Sequence, residues 1–202
     1  MDFKDILGGL AVLIAFAGYC VYFRQIFFGN VRPHAFSWFI WSILTGIGFV
    51  AQVVENGGAG AWTLGFSSIV TFLFFLISLR KGERQFVKAD WLFLSAASFA
   101  LLLWWFTKDP TLSVILVAIT DATAAIPTFR KAFHKPWEDS ATLFGLNSLK
   151  SAVSLFALSS FSLATWFYPT SLVFTNGLIV LTLLIRRKRV EKSSAHTLSG
   201  GF

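Results

Sequence analysis

Seven mostly apolar stretches run at about 6–28, 34–54, 60–79, 90–106, 110–129, 140–160 and 162–185. Each approaches the ~20 residues that an α-helix needs to cross a bilayer core. The stretches are long and do not alternate, so helices are expected rather than a β-barrel. Inside lipid every backbone polar group must be satisfied within the chain. Composition agrees: 55% of the 202 residues are apolar and 13% are charged, against roughly 25% charged in a soluble domain. The mean hydropathy is +0.69. A disordered chain, a soluble nucleic-acid binder and a disulfide-stapled secreted module are thereby excluded, the last because Cys20 is the sole cysteine. The opening Met1-Asp2-Phe3-Lys4-Asp5 is acidic and the apolar run after it is too long for a signal core. The first stretch therefore reads as a retained helix.

Seven spans place the loops alternately on two sides. One side collects 14 of the 17 Lys and Arg residues, in clusters such as Arg80-Lys81, Arg130-Lys131 and Arg186 to Arg189. Only Lys4 and Lys108 fall on the other side and Lys150 falls within a span. The positive-inside rule makes the first side cytoplasmic, with the N-terminus outside and the C-terminus inside. The expected location is a multi-pass position in the plasma (inner) membrane. The net charge of +7 thus reports orientation rather than a nucleic-acid partner.

The chain also repeats itself. Phe23-Arg24-Gln25-Ile26-Phe27 matches Phe129-Arg130-Lys131-Ala132-Phe133 at an offset of 106, and the segment from Phe36 matches that from Ala141 at 105. Phe66, Arg80, Lys81 and Glu83 match Phe174, Lys188, Arg189 and Glu191 at 108. The fold class expected is an all-α integral membrane protein, with two parallel three-helix repeats joined by a linker helix. The first repeat covers 1–80, the linker 81–109, the second repeat 110–189 and a loose cytoplasmic tail 190–202.

Ile126-Pro127-Thr128-Phe129-Arg130-Lys131, followed by Lys135 to Ser140, resembles the motif of the PQ-loop superfamily, which includes the SWEET sugar transporters. In the first repeat, Val21-Tyr22 stand where Pro127-Thr128 align. The resemblance implies seven helices as 3+1+3 and alternating access to a central cavity. It leaves the solute open, since the superfamily handles sugars, amino acids and vitamins and includes a peptide-signal receptor. It also implies a substrate-facing Asn on the third helix of each repeat. Asn176 fits that place in the second repeat, and Ser68 stands there in the first.

Asp121 and Lys150 lie midway along the fifth and sixth apolar stretches. A charge at that depth is costly unless it is paired or faces a cavity. Asp121 is the candidate proton carrier, and Lys150 is a candidate for holding an anionic group of a solute. A structural Asp121–Lys150 pair is the plain alternative, and all these readings place the two side chains together. Asn147 precedes Lys150 by one helical turn, while Trp41 and Thr45 occupy the equivalent stripe of the second stretch. The candidate substrate-binding set is therefore Trp41, Thr45, Ser68, Asn147, Lys150 and Asn176, with Pro127 as a candidate hinge because it removes a backbone donor. Scattered histidines offer no metal set, no cofactor is expected, and the spans carry no complete reaction site, so an enzyme is not expected. The expectation is a transporter of a small polar organic solute (sugar, amino acid or vitamin-like) in the lipid bilayer, with proton coupling and a homo-oligomer left open. The alternative is a seven-helix receptor or sensor on the same fold.

Overall fold

The computed structural model describes residues 2–28, 33, 35–82, 88–107, 109–137 and 139–199. The expected breaks at Gly29 to Arg32 and at Lys108, the segment 83–87 and Gly200-Gly201 lie outside the described residues. So does the side chain of Pro127. All described elements are helical: α1 (Phe3–Phe28), α2 (Ala35–Val54), a 3-10 turn (Gly58–Ala61), α3 (Trp62–Lys81), α4 (Lys88–Thr107), α5 (Pro110–Ala124), α6 (Ile126–His134), α7 (Ala141–Phe156) and α8 (Leu163–Ser199). Among the described residues, five stretches are long and apolar enough to cross a membrane: Phe3–Phe28, Ala35–Val54, Gly58–Lys81, Pro110–His134 and Leu163–Val190. In coarse architecture the chain is an all-helical, multi-pass membrane protein.

Local chemistry places the helix ends. The Asp2 carboxylate accepts from the Phe3 N–H at 2.7 Å, and the Asp5 carboxylate accepts from the Asp2 N–H at 3.0 Å. Each fills a donor that the first turn of α1 leaves open. Asp109 caps α5 through the Thr111 N–H at 2.8 Å, with Pro110 behind it in the first turn, where its missing N–H costs nothing. Ser140 caps α7 through the Leu143 N–H at 3.2 Å. Asn56, at φ +55, turns the chain out of α2, and the Gly57 N–H closes on the Gln52 carbonyl. The helix breaks between α5 and α6 at Ala125, two residues before Pro127. Proline cannot donate to the carbonyl four residues back.

The C-terminal segment departs from expectation. The chain after residue 189 was expected to be loose, yet α8 continues to Ser199. Arg186 to Arg189 end the apolar run but not the helix. Charge terminates a membrane segment, but lysine and arginine are good helix formers and leave the helix intact.

Two groups of helices pack together. In one, α3 lies against both α2 and α1; in the other, α8 lies against both α7 and α5. The groups meet where α1 packs on α7 and where α2 packs on α5, and α4 rests on α5 and α2. Glycines permit the close approaches. A Cβ on Gly48 of α2 would lie 2.6 Å from the Tyr168 ring of α8, and one on Gly18 of α1 would lie 3.3 Å from Leu146 of α7. The ends carrying Lys81, Arg186 and Arg187 are fastened by cations on ring faces. Lys81 of α3 sits 3.9 Å from the centroid of the Phe27 ring, and Arg186 of α8 sits 4.0 Å from that of Phe133. Arg187 also donates to the Pro136 and Asp139 carbonyls.

One seam contact follows from a missing donor. Pro169 lies inside α8, so the Thr165 carbonyl loses its usual helical partner. Gln52 of α2 supplies one instead: its Nε2 donates to that carbonyl at 2.6 Å, with both residues buried. We predict that Gln52→Leu lowers stability by about 1–3 kcal/mol, the cost of an orphaned buried acceptor. In a Pro169→Ala background, where α8 can bond its own carbonyl, the loss should shrink to under about 1 kcal/mol. Unfolding in detergent, run as a double-mutant cycle, checks this; equal losses in both backgrounds would refute the link.

Candidate functional site

Lys150 lies on the face of α7 that carries Leu143, Asn147 and Ser154, and it is only 5% exposed. Its ammonium donates to the Tyr19 Oη of α1 and to the Ser67 Oγ of α3, each at 2.8 Å, and lies 4.6 Å from the Tyr19 ring centroid. Both acceptors are neutral. An ammonium has three N–H donors, and the third has no acceptor among the described residues. A side chain of the α5–α7–α8 group thus reaches across the seam into the α1–α2–α3 group. Tyr19 continues into an aromatic cluster: its ring meets Phe74 at 5.9 Å and Phe66 at 6.2 Å, Phe74 meets Trp38 at 4.8 Å, and Trp38 meets Trp41 at 5.2 Å.

Asp121 stands apart from this centre. It is buried on the α5 face that carries Val114, Val117 and Ala118, which pack around Tyr168 of α8. Helices α5 and α7 do not pack against each other, and no ion pair joins Asp121 to Lys150. The expectation that the two side chains meet is therefore corrected. Both are buried, and each of their helices packs on α8 rather than on the other. No described residue hydrogen-bonds the Asp121 carboxyl. Tyr168 lies within electrostatic reach of both Asp121 and Tyr19. Its hydroxyl is buried and has no hydrogen-bond partner among the described residues.

The remaining candidates scatter. The Thr45 hydroxyl is bonded to the Trp41 carbonyl of its own helix, and the Asn176 amide to the Leu172 carbonyl of its own. Asn147 is half-buried on the Lys150 face, and Trp41 is half-buried beside Trp38. Ser68 points elsewhere: its hydroxyl donates to the Ser42 carbonyl of α2 at 2.9 Å. The residue beside it, Ser67, reaches Lys150. Sequence reasoning missed Ser67 and Tyr19. The repeat offset already paired Ser67 with Thr175, but it drifts between 105 and 108, too loose to settle a helix face when one residue turns it by about 100°.

A cavity of about 690 Å³ opens between α2 and α3 and reaches Ser113 of α5. Its walls include Gly46, Phe49, Gly65 and Ile69, and the hydroxyls of Ser42 and Ser68 at its edge are already bonded to backbone. Neither Lys150 nor Asp121 lines it. Comparison of the chain with protein-family models, with curated proteins and with solved structures finds no match.

The Lys150 contacts carry a specific expectation. Tyr19→Phe and Ser67→Ala should each cost about 0.5–2 kcal/mol of bundle stability. In a Lys150→Met background both should become nearly neutral, because the donor is gone. Thermal unfolding of the purified singles and doubles measures the coupling, and additive losses would mean that the hydroxyls do not serve the ammonium.

Proposed function

We propose that this protein is a seven-span transporter of a small polar organic solute, working by alternating access. The observation that carries the reading is the duplicated packing with a charged residue at its seam. Every principal contact in one helix group has a counterpart in the other: α1 on α3 with α5 on α8, α2 on α3 with α7 on α8, and α1 on α7 with α2 on α5. The ring contacts also pair, since Phe27 and Phe133 stand 106 residues apart. This supports two parallel repeats within 1–80 and 110–189, with 81–109 as linker and α4 at the outside. Helix α5 with α6 then forms one kinked span. α7, of 16 residues, forms a short one of roughly 24 Å at 1.5 Å per residue.

Two repeats that touch along a seam can rock about it, opening first one side and then the other. Lys150, Tyr19 and Ser67 bridge the seam in this conformation, so opening must break their hydrogen bonds. Asp121, buried against Tyr168 away from Lys150, is the proposed proton carrier. The break at Ala125, just beyond it, lets α6 move with less strain on α5.

In proteoliposomes, a panel of labelled sugars, amino acids, vitamins and short carboxylates should include a solute taken up at least tenfold above empty vesicles, and Lys150→Met should abolish that uptake. An inward proton gradient should accelerate uptake in the wild type but not in Asp121→Asn. No uptake above empty vesicles for any solute would overturn the transport reading, while indifference to the gradient would make the protein a facilitator. The proposed orientation has its own test: a C-terminal reporter should label from the cytoplasm and an N-terminal one from outside, and the reverse pattern refutes it.

A further inference from the structure

Lys150 is a buried cation without a buried anion. Its described partners are two neutral hydroxyls and the face of a tyrosine ring, and Asp121 forms no ion pair with it and sits on a helix that does not pack against α7. An uncompensated charge in a low-dielectric interior is expensive, and one of its three N–H donors has no acceptor among the described residues. When the seam between α7 and the α1–α3 pair opens, the two hydroxyls withdraw and the ammonium keeps no partner at all. A carboxylate arriving at that point replaces both hydroxyls as acceptor and supplies the missing charge, turning the ammonium's hydrogen bonds into an ion pair.

We infer that the solute is a small monocarboxylate, held through its carboxylate by Lys150. Resting on the transport reading above, this inference names the solute class. One ammonium with no arginine beside it matches a single negative charge rather than a phosphate or a dicarboxylate. The surroundings set the rest of the molecule. Tyr19 is flanked by Phe66 and Phe74, and the α7 face next to Lys150 carries Leu143 along with the half-buried Asn147. That setting accepts a short apolar or flat body with at most one or two further polar groups. The anion also stabilises the opened seam, so an opening without it is disfavoured and exchange of bound solute outpaces net flux.

Matched pairs test this on the full chain in detergent and in proteoliposomes. The probes are acetate, lactate, pyruvate and benzoate against their amides, with chloride and glucose alongside. At least one carboxylate should raise the melting temperature by several degrees at millimolar concentration, while its amide, chloride and glucose do not. Lys150→Met should weaken that binding at least tenfold, and Lys150→Arg should keep it within a few-fold. The wild-type pairs alone decide the matter if Lys150→Met does not fold. Equal shifts from acid and amide, a shift from chloride of the same size, or no shift from any carboxylate would each overturn the monocarboxylate assignment. Uptake separates the two readings. Glucose entry that survives Lys150→Met removes the assignment and leaves transport standing. Carboxylate binding without uptake of any probe removes transport and leaves the anion site.

Discussion

At membrane depth there is no water to satisfy a polar group, and this single constraint organises the molecule. Each backbone donor or acceptor that a helix cannot use must find another partner in the protein. The Thr165 carbonyl, freed by Pro169, finds Gln52 from another helix. Hydroxyls of Thr45, Ser68 and Ser78 turn back onto backbone carbonyls. Lys150 finds Tyr19 and Ser67. Because such partners often sit on a different helix, the need to satisfy polar atoms is also what ties the two helix groups together.

Apolar packing alone would not choose that seam. Side chains against side chains gain little over side chains against lipid, so close approach and hydrogen bonds select the neighbours. Both operate here. Gly48 receives the Tyr168 ring, Gly18 receives Leu146, and Gln52 and Lys150 cross between the groups. The two crossings differ in kind. Gln52 to Thr165 repairs a permanent gap in a helix, whereas Lys150 to Tyr19 and Ser67 joins groups that could each serve something else. The second is the natural place for a seam to open, and the proposed solute site rests there.

Much of the architecture was legible in the residues. Apolar run length located α2 within a residue of its start, and the acidic and hydroxyl caps Asp109 and Ser140 stood where α5 and α7 begin. Burial was legible too: Asp121 and Lys150, the charged residues within apolar stretches, are both buried. Direction around the helix was not. Sequence reasoning favours Ser68 over Ser67 although they face different neighbours, and it places Asp121 beside Lys150 although α5 and α7 do not pack together. The basic run after Ile185 marks where the apolar segment ends, yet α8 continues beyond it.

The sequence by itself therefore determined that the chain is helical, apolar and multi-pass. Those properties add up residue by residue along the chain, because transfer into lipid depends on each side chain and helical rise is constant. Only the tertiary structure decided which helix stands opposite which, that Lys150 answers to two hydroxyls rather than to Asp121, and that Gln52 closes the gap made by Pro169. Those pairings depend on contacts between residues 83 to 131 positions apart, set by close packing and polar satisfaction together, and nothing local in the chain encodes them.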